Sequence, residues 1–502
     1  MKNKFYITTA IPYVNADPHL GFAMELIQGD VLARYHRSLG DDTYFVNGSD
    51  ENALKNVQAA EKLDLPVKEF VDEHVQKFIK LGQVLNLSND DFVRTTEERH
   101  IRASQKLWQA CDKAGDIYKK AYKGLYCVGC EEFKTKKELV DELCPEHKTK
   151  PEEVEEENYF FKLSKYQDQL EKLIDSGSLQ IIPETKKNEM REFVRQGLED
   201  FSISRSTARA KNWGIDVPND SSQKIYVWFD ALINYITALG YGSDDEELFQ
   251  KYWTENDRHC HLIGKGINRF HTIYWPAMLL SAGLKPPSIV YVHGYLTIDD
   301  EKISKSLGNT IDPFGMIEKY GVDVIRYFLL REIPSDEDGD FSEEKLIARY
   351  NGDLANGLGN LVSRVATLIE NNLSDGLDFN SSVISSENNK IVDDFIVKYQ
   401  ASLNNFKLHE ALISINGLIS HADKYVNDTK PWALVKEDQG NFKNVMINLV
   451  YMISQITKNL APFMPETSEK ISTVFDFGKD NVIDGTKLNI KKGAVLFPRL
   501  QS

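Results

Sequence analysis

A stretch that could bind phosphate lies near the N-terminus, in the sequence PHLGF at residues 18–22. It follows the apolar run KFYITT and precedes a segment whose apolar residues have helical spacing. A helix that begins at the carboxyl end of a parallel strand directs backbone N–H groups and a positive dipole end towards bound anions. Gly21 would allow a nucleotide to approach the backbone, and His19 could donate a hydrogen bond to a phosphate. The alternative is an ordinary strand-to-helix turn with a structural histidine.

A second motif that could bind phosphate, DDEKISKSLGNT, occupies residues 299–310 and follows the apolar run IVYVHGYLTI. Lys302 and Lys305 are three residues apart, and such a pair would be unfavourable in a core without an anion. On a loop, the two cations could bind a triphosphate and stabilise the charged transition state of a nucleotidyl transfer. A solvated basic loop is the alternative. The two motifs together favour a nucleotide site more strongly than either motif alone.

Two close pairs of metal ligands lie between the phosphate motifs. The pattern is C-x2-C, thirteen residues and C-x2-H, and its members are Cys127, Cys130, Cys144 and His147. This spacing is typical of a structural zinc site, because protein ligands fill all four tetrahedral positions. Three unrelated thiols and a surface histidine are the alternative. The remaining cysteines, Cys111 and Cys260, have no paired spacing and are predicted to be buried thiols.

The elements around these motifs predict an α/β fold with a helical C-terminal part. A strand at KFYITT, a helix over 20–39 and a strand at YFVNGS form a βαβ unit, which implies a parallel sheet. The later runs KIYVWFDAL, HCHLIGK and SIVYVHGYLTI are predicted to continue this sheet. A long helical stretch is predicted from about 52 to 115, and the run YFFKLSKYQDQLEKLID predicts a further helix. Beyond about residue 345, amphipathic segments over 354–372, 391–406, 409–428 and 444–461 predict a helical bundle.

Composition limits the class of protein. The chain has 502 residues, of which 41% are hydrophobic and 27% charged, so it can form several globular cores. Neither a membrane-spanning run nor the apolar region of a signal peptide is visible, so we expect a cytoplasmic protein without a membrane partner. The net charge of −16 argues against a general nucleic-acid coat but allows a local basic surface.

The quoted motifs and their surroundings resemble those of class I aminoacyl-tRNA synthetases, whose two signature motifs are similar to PHLG and KISKS. The segments TTAIPYVNADPHLG, YVWFDALINYITALGY, IGKGINRFHTIYWPA and GDFSEEKLIARYNGDLANGLGNLVSR resemble the methionyl-tRNA synthetase family, in its short form with a single zinc knuckle. The resemblance covers about residues 4–475. It implies a Rossmann-like parallel-sheet catalytic domain with a zinc-binding insertion and an all-α anticodon-binding bundle. The implied parts are a first Rossmann half at 1–114, a connective insertion with the zinc knuckle at 115–220, a second Rossmann half at 221–290, a stem-contact region with the KISKS loop at 291–345, and the anticodon-binding domain at 346–502.

The resemblance implies a methionine–tRNA ligase. Such an enzyme converts L-methionine and ATP to methionyl-adenylate and pyrophosphate, and then transfers methionine to its tRNA. His19, Gly21, Lys302 and Lys305 would bind the ATP phosphates, and Glu25 would lie near the ribose. His19, Lys302 and Lys305 would be catalytic, since the two lysines would stabilise the α-phosphate and the leaving pyrophosphate. Mg²⁺ would accompany ATP, and no side chain needs to act as a nucleophile because the substrate carboxylate attacks.

The resemblance also implies a methionine pocket. Its members would be Ile11, Tyr13, Asp50, Trp228, Ala231, Leu232, Tyr235, Ile267 and His271. The four members from Trp228 to Tyr235 would share one face of a helix, although such a stripe is often part of a core. Asp50 would hold the substrate amino group, because an ammonium ion that leaves water needs a partner. A helix N-cap is the alternative role for Asp50.

By the same resemblance, the C-terminal helices would recognise the CAU anticodon of tRNA(Met). Asn360 and Arg364 are one helical turn apart, and Trp432 is an aromatic on which an unstacked base could stack. Each also has a structural alternative: Asn360 could cap or pack, Arg364 could pair with an acid, and Trp432 could lie in a core. We expect a monomer, because the appended dimerisation domain of some relatives does not follow residue 502.

Two positions depart from the family pattern. Phe22 stands where the second histidine of the HIGH motif is usual, and Gly266 stands where an aspartate would help to fix the ribose. Both changes remove polar contacts to ATP, and the loss of one such donor could lower the rate by about 10²–10³-fold. Glu25, Asn15 or a backbone N–H could partly compensate. The alternative function is therefore a synthetase-like paralogue that binds tRNA or methionine with weak or no activation.

Overall fold

The computed structural model describes residues 2–127, 132–134, 136, 139–145, 148–298, 301–302, 310–478 and 485–500. The chain forms two compact units, Met1–His293 and Gly294–Ser502. The first unit contains a parallel sheet flanked by helices, and the second unit is largely helical. The predicted α/β class, with a parallel sheet in the first part of the chain and a helical C-terminal part, is therefore confirmed.

The first unit contains the phosphate-type turn, the cysteines and most of the strands. Its strands are β1 Lys4–Thr9, β2 Asp42–Ser49, β3 Asp91–Arg94, β4 Ile117–Cys127, β5 Glu132–Lys134, β6 Glu152–Phe161, β7 Gln180–Ile182, β8 Phe201–Ser202, β9 Ser204–Ser206, β10 Asp216–Val217, β11 Asp220–Ile225, β12 His259–Gly264 and β13 Ile289–His293. Its helices are α1 Leu20–Ser38, α2 Leu54–Lys62, α3 Val67–Val84, α4 Glu98–Lys113, α5 Gln167–Ser176, α6 Glu184–Arg195, α7 Val227–Ala231, α8 Asn234–Thr237, α9 Glu247–Phe249 and α10 Trp275–Ser281.

The main sheet has the strand order β3-β2-β1-β12-β13-β7, and all its pairs are parallel. Its central strand, β1, has both faces covered, since Phe5, Tyr6 and Ile7 are all buried. β1 lies between β2 and β12, so the chain changes direction across the sheet at this point. In open parallel sheets, ligands bind beyond the carboxyl ends of the strands at such a switch point.

Several predicted elements differ from the observed ones. The predicted long helix over 52–115 is interrupted by β3, the edge strand of the main sheet. The run KIYVWFDAL was predicted as a strand of the main sheet. Its first two residues are the last two of β11, which belongs to a small antiparallel sheet, and its later residues form α7. The chain turns into helix there because Phe229 packs into the core and meets Trp108 of α4 edge-on, with ring centroids 5.4 Å apart.

Residues 117–202 contribute a four-stranded antiparallel sheet in the order β5-β4-β6-β8. Lysines on β4 face the acidic run on β6, and Lys123 is paired in register with Glu155. The predicted helix over 159–175 begins only at Gln167, because its first three residues belong to β6. β7, from the chain range predicted as an insertion, pairs with β13 in the main sheet.

The second unit contains the predicted helical bundle. Its helices are α11 Pro313–Tyr320, α12 Val322–Glu332, α13 Glu343–Arg349, α14 Asn360–Asn372, α15 Ser386–Asn404, α16 Leu408–Thr429, α17 Pro431–Glu437, α18 Gln439–Leu460 and α19 Pro465–Phe475. Its short strands are β14 Leu296–Ile298, β15 Glu301–Lys302, β16 Gly339–Asp340, β17 Leu377–Asp378 and β18 Lys487–Leu488. α15, α16 and α18 pack against one another around apolar side chains at helical spacing. The four predicted helices are present, and α14 is preceded by a π-helical segment, Tyr350–Gly359. In the described part of the chain, every helix is too short or too polar to span a membrane.

Candidate active site

A cavity of about 260 Å³ lies at the carboxyl ends of β1 and β2. All nine residues predicted to bind methionine line it: Ile11, Tyr13, Asp50, Trp228, Ala231, Leu232, Tyr235, Ile267 and His271. The other lining residues are Ala10, Pro12, Phe22 and Glu25. The fold thus brings together four segments that are far apart in the chain.

Asp50 lies at the carboxyl end of β2 and is only 3% exposed. Its backbone N–H donates to Pro12 O at 2.8 Å, which joins the loop after β2 to the loop after β1. Its carboxylate accepts a hydrogen bond from the N–H of Asn52 at 3.2 Å, and this bond forms an Asx turn. The alternative role as a helix N-cap does not apply, because Ala53 is the N-cap residue of α2.

Aromatic side chains form one wall of the cavity. Trp228 of α7 stacks on Phe270 with ring centroids 3.9 Å apart and an interplanar angle of 4°. Its indole Nε1 is buried and has no acceptor among the described residues, which leaves one donor for a ligand or a water molecule. Ala231 and Leu232 follow on the same helical face, so this wall offers apolar and aromatic surface.

The Tyr235–His271 pair closes the base of the cavity. Nδ1 of His271 donates to Ile267 O at 2.9 Å, so Nε2 accepts from the Tyr235 hydroxyl at 2.7 Å. Burial lowers the pKa of His271 to about 4, so the imidazole is neutral at neutral pH. Burial likewise raises the pKa of Tyr235, with the Glu25 charge as a smaller cause, and the phenol stays protonated.

Glu25 of α1 connects the helix to the ends of two strands. One carboxylate oxygen accepts from the N–H of Ala10 at 2.8 Å, and the other lies 2.8 Å from His293 Nε2. The residue is 7% exposed and lines the cavity. Its predicted position near a ribose stays a prediction. Asn15, a second predicted substitute for the missing histidine, lines a separate depression with Lys55, Lys62 and His74.

The N-terminus of α1 carries the phosphate-type turn. His19 is its N-cap residue, and Nδ1 accepts a hydrogen bond from the N–H of Phe22 at 3.3 Å. A neutral His19 therefore carries its proton on Nε2, which suits donation to an anion. Phe22 lines the cavity and also meets Phe78 of α3 edge-on, with ring centroids 5.6 Å apart. The sequence drew attention to Phe22 only as a missing histidine, although its apolar character was the available signal for this packing.

The remaining predicted ATP contacts are only partly described. Gly21 is the second residue of α1, and Gly266 lies in the turn Lys265–Ile267 directly after β12. Lys302 ends β15, whose backbone pairs with Thr297 of β14 in the second unit. Lys305 lies outside the described residues.

The predicted zinc ligands are likewise divided. Cys127 ends β4 and Cys144 follows the Val140–Leu143 bridge, and both thiols are buried. Cys130 and His147 lie outside the described residues, so the described part of the chain holds only two of the four ligands. In that part, no group of three or more metal ligands is present. Two buried thiols fit a closed zinc site in the chemistry of their donors.

The three predicted anticodon residues lie on neighbouring helices of the second unit. Asn360 is exposed at the start of α14, and Trp432 of α17 is 49% exposed. Arg364 of α14 donates to Asn427 at 2.9 Å and lies 3.5 Å from the Asp423 carboxylate, both on α16. α14 packs against both α16 and α17. Roles in anticodon recognition stay predictions for all three residues.

Comparisons with known proteins bear on the whole chain. Residues 5–153 and 136–366 match the family model described as tRNA synthetases class I (M), and residues 390–491 match the anticodon-binding domain of tRNA ligase. The methionine–tRNA ligase of Clostridium acetobutylicum is 43% identical, and the match covers 99% of this chain and 78% of that protein. That of Thermotoga maritima is 44% identical, with 93% and 74% covered. The chain belongs to the methionyl-tRNA synthetase family.

Solved structures of the methionyl-tRNA synthetase family have the same fold. The Mycobacterium tuberculosis methionyl-tRNA synthetase in complex with methionyl-adenylate superposes with a TM-score of 0.93 and is 38% identical, over 99% of this chain and 100% of that chain. The free-state structure from the same organism has a TM-score of 0.86 and is 35% identical. Aminoacyl-tRNA synthetases generally use ATP together with Mg²⁺.

Proposed function

We propose that the cavity at the ends of β1 and β2 is the site at which this chain activates L-methionine. The reaction is ATP-dependent formation of methionyl-adenylate, followed by transfer of methionine to its tRNA. The observation that supports this site is the convergence of all nine predicted methionine contacts on one cavity. Family membership favours this activity over the alternative of a paralogue that binds without activation.

The chemistry of the cavity suits methionine. Its volume of about 260 Å³ lies below the roughly 300–1,000 Å³ of pockets for drug-sized ligands, as an amino acid requires. The Trp228 and Tyr235 rings offer the aromatic edges that a thioether favours. Asp50 lines the cavity at the carboxyl end of β2, and we assign its carboxylate as the partner of the substrate ammonium group.

The activation step needs no nucleophile from the protein, because the methionine carboxylate attacks the α-phosphate of ATP. The bond that forms joins this carboxylate to the α-phosphorus, and the bond that breaks releases pyrophosphate. His19 and Gly21 at the start of α1 would bind phosphate, and Lys302 and Lys305 would neutralise the charge that develops. Mg²⁺ bound with ATP supplies further neutralisation of the phosphates. Phe22 contributes no donor to this task.

We assign a structural zinc ion to Cys127, Cys130, Cys144 and His147. Support comes from the ligand spacing and from the burial of the two described thiols. Purified protein should contain about one zinc per chain, and Cys130→Ser should lower this ratio, because three ligands hold the ion less tightly. Cys111→Ser, which changes a buried thiol outside the motif, is the matched control and should retain the ion. A ratio near zero in the unchanged protein would contradict the assignment.

The second unit is assigned to tRNA recognition, with Asn360, Arg364 and Trp432 contacting the anticodon. The exposure of Trp432 and of Asn360 on adjacent helices supports this role. The division into two Rossmann halves at 1–114 and 221–290, an insertion at 115–220, a stem-contact region at 291–345 and a helical domain at 346–502 is part of the proposal. The monomeric state and the cytoplasmic location remain predictions.

Methionine-dependent exchange of pyrophosphate into ATP tests the function. The unchanged protein should catalyse exchange with L-methionine and show little with L-leucine, which lacks the thioether. Lys305→Ala should lower the rate by about 10²-fold or more, because it removes a charge that stabilises the transition state. Lys319→Ala is the matched control, since Lys319 is an exposed lysine paired with Glu343 on the second unit. Exchange by the unchanged protein no faster than by Lys305→Ala would overturn the proposal.

A further inference from the structure

A buried polar network lies behind the aromatic wall of the cavity, between α4, α7 and the loop after β2. Asp230 is completely buried. Its two carboxylate oxygens accept hydrogen bonds from Asn52 Nδ2 at 2.7 Å and from His100 Nε2 at 2.6 Å. Ser104 Oγ lies 3.3 Å from the second oxygen, and Thr237 Oγ1 lies 3.0 Å from Nδ1 of His100. Both oxygens of this carboxylate are therefore satisfied by side chains from distant parts of the chain.

This network connects the two walls of the cavity. Asp230 lies on α7 between the lining residues Trp228 and Ala231. Asn52 contacts both sides, since its backbone N–H donates to the Asp50 carboxylate and its side chain donates to Asp230. The Asp50 carboxylate and the helix that carries the aromatic wall are thus separated by a single residue.

The other side of the loop is attached to the end of β3. Glu51 is completely buried, and its carboxylate accepts from Arg94 Nε at 2.7 Å and Nη2 at 2.9 Å. The N–H of Glu51 donates to Thr95 Oγ1 at 2.9 Å. Asn52 Nδ2 also donates to Thr95 O at 3.1 Å, so the Asn52 side chain joins both the end of β3 and the aromatic wall to the loop.

We propose that Asn52 and Asp230 are positioning residues that set the separation between the Asp50 carboxylate and the aromatic wall, and thereby the placement of the methionine ammonium group. The inference rests on the proposed function. Burial of a carboxylate beside a histidine is costly to the fold, and such groups are stable only when every polar atom has a partner. Here one partner, Asn52, belongs to the loop that carries Asp50, and His100 and Ser104 of α4 satisfy the other carboxylate oxygen, so the network fixes the aromatic wall relative to this loop.

Asn52→Ala tests this role, because it removes the bond to Asp230 and keeps the backbone N–H that contacts Asp50. In pyrophosphate exchange, KM for methionine should rise by about tenfold, since a hydrogen bond to a charged group is misplaced, while KM for ATP stays unchanged. The inhibition constant of 4-(methylthio)butanoate, which is methionine without its amino group, should stay unchanged. Asp230→Asn keeps the side-chain shape but loses an acceptor, and it should produce the same pattern.

Asp30→Asn is the matched control. Asp30 is also completely buried and accepts hydrogen bonds from Arg34 and Ser88, but it does not line the cavity. KM for methionine and the inhibition constant of 4-(methylthio)butanoate should both stay unchanged in this variant. An equal rise in KM for methionine and in the inhibition constant of the desamino compound would mean general damage to the cavity and would overturn the inference, as would an unchanged KM. Absence of exchange in the unchanged protein would instead overturn the proposed function.

Discussion

Replacing Phe22 by histidine should increase the rate of activation and lower the stability of the first unit. Phe22 lines the cavity two residues after the start of α1, where phosphate is predicted to bind. An imidazole N–H at this position adds a donor that the family pattern has and this chain lacks. Removal of a comparable donor lowers rates by about 10²–10³-fold, so its addition to a site not adapted to it should raise the exchange rate by about tenfold.

The stability change follows from the packing of the Phe22 ring. The ring meets Phe78 of α3 edge-on at 5.6 Å and contacts the small apolar cluster that contains Val14 and Phe70. An aromatic pair of this geometry contributes about 0.5–1.5 kcal/mol beyond its buried area. Phe22→His should therefore lower the thermal midpoint of the first unit by about 2–4 °C.

Phe22→Leu separates the two effects, because it removes the ring and adds no donor. The assay is pyrophosphate exchange at saturating methionine over a range of ATP concentrations, with thermal unfolding measured on the same samples. Phe22→Leu should lose stability without a gain in rate. An exchange rate for Phe22→His within twofold of the unchanged protein would refute the reasoning and would mean that another group already donates to the phosphates.

Three further results are expected. Trp228→Ala should raise KM for methionine by about tenfold or more in the exchange assay, because it removes the ring that stacks on Phe270; an unchanged KM would make the methionine pocket assignment wrong. Burial lowers the pKa values of His36, His259 and His271 to about 4, so between pH 6.5 and pH 4 the unfolded chain binds more protons than the folded chain. The urea concentration at the midpoint of unfolding should therefore fall as the pH decreases across this range. A midpoint that does not change with pH there would contradict these pKa values. Trp432→Ala should weaken aminoacylation by about tenfold through KM for tRNA and leave exchange unchanged, since stacking on one base contributes about 1–3 kcal/mol; equal effects on both assays would argue against an anticodon contact.

Elements with a strong local pattern could be predicted from the sequence. β1, α1 and β2 form the predicted βαβ unit because short apolar runs form the two strands and apolar residues recur at helical spacing between them. β3 could not be predicted, since the four residues DFVR have no distinct pattern and form a strand only through pairing with β2. The apolar run IYVWFDAL has no period that separates a strand from a buried helix, and tertiary packing of Phe229 decides for helix.

The candidate site shows the same division. All nine residues predicted to bind methionine line the cavity, because the sequence segments that resemble the family contain these residues. The network around Asp230 was not predicted, because its partners Asn52 and His100 lie 178 and 130 residues away in the chain. One signal was present in the sequence: a carboxylate within the apolar run YVWFDALI must find partners if it is buried.

The main sheet pairs strands that are far apart in the chain, and this has a consequence for the synthesis of the protein. Tyr6 of β1 pairs with His259 of β12, so the central strand lacks one neighbour until about 250 more residues have been translated. At about 5–20 residues per second, this interval lasts roughly 10–50 s. During that time β1 presents an open, apolar strand edge, which is a template for pairing with other chains. The nascent chain should therefore depend on chaperone binding until β12 emerges from the ribosome.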